Sequence, residues 1–135
     1  KRFGKPLTLL VWDIDHFKSI NDTFGHQAGD KTLQVVGKAL AARLRETDLV
    51  ARFGGEEFVM LLVGSDDVHA LEVANSIRTS IANKKFSAGP KRIPITISCG
   101  YSQFQEGDEP EAVFKRADEA LYKAKQNGRN RCEQG

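Results

Sequence analysis

The sequence predicts an α+β fold in which helices pack on a mainly antiparallel sheet to form an α/β sandwich. Apolar periodicities follow one another in the order β-α-α-β-β-α-β-α, and a short strand at 131–133 is expected to follow them. A glycine pair joins two of the strands as a hairpin would, which makes those neighbours antiparallel. At 135 residues the chain is long enough for one domain with a core and too short for two.

The first part of the chain predicts one strand and two helices. The apolar run Leu7–Asp13 predicts the first, buried strand. Asp15 is then placed to cap a short helix that continues to about Phe24 and ends at Gly25. Asp30 is expected to open the second helix. That helix buries one face through apolar residues at helical spacing, namely Leu33, Val36, Leu40 and Leu44.

The segment R-F-G-G-E-E-F (Arg52–Phe58) lies between two apolar strands. Both central residues of a two-residue hairpin turn need positive φ, so Gly54 and Gly55 are the predicted turn. Glu56 and Glu57 follow at its exit, and two acids are therefore held at an accessible tip.

The second part predicts a third helix, a strand and a last helix. The region Lys84–Arg92, rich in Lys, Gly and Pro, is expected to be an exposed loop. The alternation across Ile93–Tyr101 indicates a half-buried strand. Asp108 with Glu111 forms the pattern of a capping box before the last helix, which Gly128 ends. The third helix is indicated by Leu71, Ala74, Ile77 and Ile81.

Composition excludes some classes of function. Twenty basic and eighteen acidic residues leave a net charge of +2, which implies no overall attraction to nucleic acid or membrane. Cys99 and Cys132 lack a metal-type spacing and are expected to be free thiols of a reducing compartment. The sequence has no secretory signal and no apolar run of membrane-spanning length. A cytoplasmic domain is expected, either soluble or part of a membrane-anchored protein.

Three segments resemble the GGDEF domain of diguanylate cyclases: Asp13–Asp30, the G-G-E-E-F hairpin and Lys115–Asn130. The resemblance spans nearly the whole chain, with the motifs in the family's order at compatible spacings. It implies a palm-type fold like that of nucleotidyl cyclases, with residues 1–135 as the catalytic domain. Such domains normally begin with a D-x-L-T-G-L-x-N-R segment and a helix, so a domain lacking this opening segment is expected.

The resemblance implies that two GTP molecules are condensed into cyclic di-GMP with release of two pyrophosphates. Magnesium or manganese is the implied cofactor, since hard cations prefer oxygen ligands. Asp13 and Glu56 are the implied metal ligands together with the carbonyl of Ile14, and Glu56 and Glu57 are the implied catalytic acids. Glu57 would orient or deprotonate the attacking hydroxyl. The alternative is that Asp13 is a helix cap, as we favour for Asp15, and that the two glutamates form a solvated turn.

Substrate residues are implied in the same way. The amides of His16 and Phe17 at a helix N-terminus, together with Lys18, Lys125 and Arg129, correspond to triphosphate contacts. Cations at a helix C-terminus also favour the helix dipole without any ligand, which is the alternative for Lys125 and Arg129.

The resemblance assigns guanine reading to Asn21 and Asp30, because a carboxylate and an amide can accept from the guanine donors. The alternative is a capping Asp and an Asn in a turn. His26 and Gly29 are expected to serve loop geometry.

Arg45 and Asp48 match the R-x-x-D motif through which many GGDEF domains bind their product. The alternative is a surface ion pair at i, i+3 spacing. A further arginine that the family often supplies from the third helix corresponds to Ser76 here.

The implied partners are GTP, cyclic di-GMP at an inhibitory site and a second copy of the domain, because each copy binds one GTP. A sensory or regulatory domain is expected before residue 1, and nucleic acid is not an expected partner. The leading alternative is a GGDEF-like receptor that binds cyclic di-GMP or GTP without turnover. Glu56 and Glu57, which degenerate receptors usually lose, favour the enzyme. A purely structural dimerisation domain would leave the metal, guanine and phosphate residues unexplained.

Overall fold

A five-stranded sheet with helices on both faces forms the centre of the protein, in a computed structural model that describes residues 5–84, 86–88 and 90–135. Its strands are β1 (Leu7–Ile14), β2 (Leu49–Phe53), β3 (Glu57–Val63), β6 (Ile97–Gln103) and β7 (Cys132–Gln134). The strand order is β2-β3-β1-β6-β7, and every neighbouring pair is antiparallel except β6 and β7, which are parallel. The mainly antiparallel α/β sandwich is therefore confirmed.

Three helices cover one face of this sheet, and the fourth covers the other. Along β1 the side chains alternate between faces, so Leu10 and Trp12 pack toward the first three helices while Leu9 and Val11 pack toward the fourth. Both faces are therefore buried at β1. The helices are α1 (Phe17–Phe24), α2 (His26–Ala41), α3 (Asp67–Ala82) and α4 (Pro110–Gln126).

Strand β6 is buried on both faces, whereas a half-buried strand was predicted from Ile93–Tyr101. The strand begins only at Ile97, and Ile93 and Ile95 enter the core before it. Its second face carries small residues that let α4 approach closely. A Cβ built on Gly100 would lie 2.0 Å from the carbonyl oxygen of Ala117. Small polar residues on that face thus reflect close helix packing, and the alternation rule cannot distinguish this from solvent exposure.

The hairpin loop has three residues where two were predicted. Phe53 pairs with Glu57, so Gly54, Gly55 and Glu56 form the connection between β2 and β3. Gly54 has φ 69°, but Gly55 is not among the residues of positive φ. The prediction of a two-residue turn was wrong because it required positive φ at both glycines. One left-handed residue is typical of longer hairpin loops. Glu56 therefore lies within the loop.

Two other local predictions were also wrong. Part of the expected loop Lys84–Arg92 is a small hairpin of β4 (Ser87–Ala88) and β5 (Lys91–Arg92), because buried Phe86 and Ile93 anchor its two ends. Residues 85 and 89 of that prediction lie outside the described residues. Asp108 does not form a capping box. Its carboxylate pairs with Arg116 instead, while Glu109 occupies the N-cap of α4 and Pro110 begins the helix.

The short C-terminal strand is confirmed, one residue later than expected. It brings Cys132 into register with Cys99 of β6, and both are free cysteines. Within the described ranges, no helix combines the length and hydropathy needed to cross a membrane.

Candidate active site

Three carboxylates lie at the end of the sheet where β1 finishes beside the β2–β3 loop. Asp13 is the register partner of Glu57, and Glu56 is the loop residue just before it. Asp13 is only 2% exposed, and its Oδ2 pairs with the ammonium group of Lys125 from α4. Its Oδ1 is buried with no hydrogen-bond partner in the described part of the chain. One acceptor of the site is thus left unsatisfied.

The electrostatics of this cluster favour an additional cation. Burial, followed by the negative charge of Asp13, raises the pKa of Glu56 to about 7, although Lys125 opposes the shift. Burial also raises the pKa of Glu57, with contributions from the charges of Asp13 and Asp118. Negative charge is therefore crowded around a single ammonium group.

The residues present fit a divalent metal ion. Asp13 has one unsatisfied carboxylate oxygen, and its charge disfavours the ionisation of the neighbouring Glu56. A divalent cation would offset the negative charge of both residues. Ile14 ends β1 and is 2% exposed. The described residues contain no group of three or more His, Cys, Asp and Glu side chains suited to hold a metal ion. Two protein carboxylates completed by carbonyl, water and phosphate oxygens correspond to the way magnesium is usually held.

The first turn of α1 has no side-chain cap. His16 occupies the N-cap in the left-handed conformation (φ 57°, ψ 34°), and among the described residues no side chain caps the first amides. The expected cap by Asp15 was wrong, because that carboxylate is bound elsewhere. The amides of His16, Phe17 and Lys18 therefore remain available to an anion, as the first amides of a helix do when uncapped.

The two cations predicted from the last helix lie in different structures. Lys125 is on α4, which ends at Gln126, and it reaches Asp13. Arg129 lies beyond the helix with φ 63°, so it does not share a helical face with Lys125. Gly128, at φ 120°, ends the helical path, and the Arg129 amide bonds back to the carbonyl of Ala124.

The predicted guanine residues lie around the start of α2. This helix begins at His26 with Gly25 as N-cap, so Asp30 is inside the helix and its interpretation as a cap was wrong. Gly29 is helical too. A Cβ built on Gly29 would lie 1.8 Å from Oδ1 of Asn21, so this glycine is what admits the amide side chain. Asp30 lines a cavity of about 330 Å³ with Leu33, Gln34 and Arg52.

Asp15 has a role that sequence reasoning missed. Its carboxylate accepts from Thr96 Oγ1 (2.7 Å), Ser98 Oγ (2.7 Å) and the backbone amide of Asn130 (3.0 Å). Both oxygens are therefore occupied in a residue that is 4% exposed. The partners are more than eighty positions away in the sequence, so no local spacing could have revealed them.

Arg45 and Asp48 form a partly buried network at the start of β2. Asp48 accepts from Arg45 Nε (3.0 Å) and from the amides of Arg45 (2.9 Å) and Val63 (3.0 Å), and its side chain is 1% exposed. Burial would raise the pKa of Asp48, but these hydrogen bonds outweigh it and hold the pKa below its usual value. Arg45 also donates to the Val63 carbonyl and to Ser65, yet half of its side chain (51%) stays exposed.

Comparison with known proteins supplies the family. Residues 1–131 match the family described as diguanylate cyclase, GGDEF domain. The chain is 48% identical over 132 residues to the diguanylate cyclase DgcP of Pseudomonas aeruginosa, and 45% identical over 130 residues to the response regulator PleD of Caulobacter vibrioides. These alignments cover 98% and 94% of this chain but only 20% and 29% of those proteins. The chain thus spans less than a third of the length of these relatives.

Solved structures agree with this assignment. The GGDEF domain of DgcB from Caulobacter crescentus, in complex with c-di-GMP, superposes with a TM-score of 0.95 at 33% identity, covering 98% of this chain and 80% of that one. The active GGEEF domain of a diguanylate cyclase from Vibrio cholerae gives a TM-score of 0.91 at 38% identity, covering 98% and 85%. GGDEF diguanylate cyclases generally use a divalent metal, which suits the carboxylate pair described above. From its sequence and its fold, this chain belongs to the GGDEF domain family of diguanylate cyclases.

Proposed function

We propose that this domain condenses two GTP molecules into cyclic di-GMP and two pyrophosphates, with magnesium or manganese as cofactor. The observation that carries the proposal is the unsatisfied, buried Oδ1 of Asp13 beside Glu56, Glu57 and Lys125. These residues would hold a divalent cation, which would offset the negative charge of the carboxylates and of bound phosphates.

Asp13 and Glu56, with the carbonyl of Ile14, would hold the metal. A bound divalent cation would acidify the attacking hydroxyl and neutralise charge on the phosphates. Glu57, the register partner of Asp13, lies beside these ligands and would orient the 3′-hydroxyl or take its proton. The hydroxyl oxygen then bonds to the α-phosphorus of the other GTP, and the bond from that phosphorus to the pyrophosphate oxygen breaks.

The triphosphate would bind the uncapped amides at His16 and Phe17 together with Lys18, Lys125 and Arg129. Lys125, which pairs with Asp13, would be available to a phosphate if that carboxylate held a metal. Asn21 and Asp30 would read the guanine edge, since adenine presents the opposite pattern of donors and acceptors.

The direct test is to incubate the chain with GTP and magnesium and to look for cyclic di-GMP by chromatography. Glu56→Gln and Asp13→Asn keep the side-chain shapes but remove ligand charge, so turnover should fall by roughly a hundredfold or more. Asp22→Asn, an exposed carboxylate of α1, is the matched control and should keep the wild-type rate. Wild-type turnover in both Glu56→Gln and Asp13→Asn would refute the metal site. Binding of GTP without product from an assembled dimer would favour the receptor alternative.

We further propose that Arg45 and Asp48 bind cyclic di-GMP and restrain the enzyme through its product. Half of the Arg45 side chain is exposed, and Asp48 fixes its orientation through a hydrogen-bonded ion pair. A guanidinium held this way can stack on a guanine and donate to it. Because Asp48 already accepts from Arg45 and Val63, a guanine would have to displace one of these donors to reach its carboxylate.

Calorimetric titration of cyclic di-GMP tests this second site. Arg45→Ala should weaken product binding and relieve product inhibition while the initial rate on GTP is kept, because Arg45 is not part of the carboxylate cluster. Arg92→Ala on the β4–β5 hairpin is the control for loss of an exposed arginine. Equal product affinities in wild type and Arg45→Ala would reduce the motif to a structural ion pair.

A further inference from the structure

The turn between α4 and β7 holds an unusual backbone conformation. Gly128, Arg129 and Asn130 have φ values of 120°, 63° and 49° in succession. Glycine adopts such values freely and asparagine tolerates them, but Arg129 does so only at a cost in free energy. A conformation of this kind persists where surrounding groups hold it in place.

Asn130 is held from two sides by residues far away in the sequence. Its backbone amide donates to Asp15 Oδ2 (3.0 Å) and to Ser98 Oγ (3.1 Å). On the opposite side, Arg78 of α3 donates to the Asn130 carbonyl (3.3 Å) and to its Oδ1 (3.0 Å). Thr96 and Ser98 in turn fix the Asp15 carboxylate at 2.7 Å each. We call Asp15, Ser98 and Arg78 the Asn130 clamp.

The clamp determines where the neighbouring arginine lies. The backbone of Arg129 is fixed at both ends. Its own amide donates a hydrogen bond to the Ala124 carbonyl, and the next residue, Asn130, is held by the clamp. Across the described residues, the Arg129 guanidinium has no hydrogen bond or ion pair of its own. A fixed backbone with a free cation is the arrangement of a side chain that is positioned for a ligand.

We propose that Asp15 and Arg78 are positioning residues that hold Arg129 for the triphosphate of the substrate. This inference rests on the proposed function, and it gives Asp15 a role distinct from metal binding. Asp15 lies two positions after the metal ligand Asp13, but both of its oxygens are already occupied by donors. Its carboxylate therefore acts through Asn130.

Calorimetry with this chain, in the presence of magnesium, tests the proposal through two ligands. The first is a GTP analogue with a methylene bridge between its α and β phosphates, which cannot react, and the second is GMP. Arg129→Ala should weaken binding of the analogue by roughly tenfold to a hundredfold, which is the loss expected for one hydrogen bond to a charged group. The affinity for GMP should stay unchanged. Asp15→Asn should cause a loss of the same kind, and the double variant should be no weaker than Arg129→Ala alone.

Asp22→Asn is the matched control and should leave both affinities unchanged. If Asp15→Asn does not fold, Arg78→Met releases Asn130 from the other side and should show the same coupling to Arg129→Ala. The positioning role would be overturned if the losses of affinity in the two single variants added up in the double variant. It would also be overturned if a clamp variant lost as much affinity for GMP as for the analogue. An Arg129→Ala variant with wild-type affinity for the analogue would overturn the triphosphate contact itself, and the inference with it. That outcome is separate from a wild-type chain that binds neither nucleotide, which would contradict the proposed function.

Discussion

The surroundings of Glu56 disfavour its ionised form, because the residue is partly buried in the β2–β3 loop and lies close to the negative charge of Asp13. Its pKa is about 7 in the folded chain against 4.5 for an unperturbed glutamate. A carboxyl group with a raised folded pKa binds its proton more tightly when folded. It therefore favours folding at low pH and opposes it as the pH rises through this interval.

In metal-free buffer, the free energy of unfolding should fall between about pH 4.5 and about pH 7. In Glu56→Gln the free energy of unfolding should fall less over this pH range, because glutamine does not ionise. In Asp22→Asn it should depend on pH as it does in wild type. Denaturant midpoints at each pH measure the effect. Magnesium added at the alkaline end should stabilise wild type more than Glu56→Gln. Parallel pH profiles for wild type and Glu56→Gln would contradict this account.

Gly29→Ala tests the contact that places Asn21 beside α2. An added Cβ would meet Asn21 Oδ1 at 1.8 Å, so the amide must swing away from its position. We expect the preference for GTP over ATP to fall in competition binding, because a displaced amide no longer pairs with guanine. The free energy of unfolding of Gly29→Ala should not fall, since alanine is more favourable than glycine in a helix interior. Gly37→Ala in the same helix is the control, and an unchanged ratio in Gly29→Ala would remove Asn21 from guanine reading.

At the scale of elements, the close approach of α4 to β6 makes the sheet sensitive to a single methyl group. Gly100→Ala would place a Cβ 2.0 Å from a backbone carbonyl of α4, and backbone cannot move aside cheaply. We expect a loss of about 1–3 kcal/mol in the free energy of unfolding. In Gly37→Ala the added Cβ would contact only the Phe58 ring, at 3.6 Å. This substitution should raise the free energy of unfolding by about 0.5–1 kcal/mol. Urea midpoints measure both, and equal effects would refute the packing argument.

Strong periodicity made the order of elements predictable, while local endings were not. The strand β1 and the helix stop at Gly25 followed from the sequence. The start of α2 did not, because Asp30 suggested a cap where Gly25 serves as one. The role of Asp15 was hidden for a different reason, since its hydrogen bonds join β1 to β6 and to the C-terminal turn. Contacts between distant segments follow from the assembled sheet and leave no local pattern.

The same distinction applies to the candidate site. The resemblance implied that Asp13 and Glu56 lie close together as metal ligands, and the β1–β3 pairing does bring these two carboxylates near each other. The pairing of Lys125 with Asp13 was not foreseen, because it depends on which face of the sheet α4 covers.

At the scale of the whole molecule, the described residues contain one set of the guanine and phosphate contacts that we propose, whereas the proposed reaction joins two nucleotides. On this proposal two copies face one another, and specific activity should rise with protein concentration, as mass action requires of a weak dimer. Fusing a constitutive coiled coil to the amino terminus should raise activity at low concentration. Sedimentation beside rate measurements checks this, and a concentration-independent rate from a monomer would count against it.

The burial of Trp12 also has a practical consequence. It is the sole tryptophan of the chain, 0% exposed, and its indole nitrogen has no hydrogen-bond partner within the described residues. An indole in such apolar surroundings emits at shorter wavelength than one in water, so the folded protein carries its own optical label. Since Trp12 immediately precedes Asp13 on β1, a red shift of this emission reports that the strand bearing Asp13 has opened to solvent.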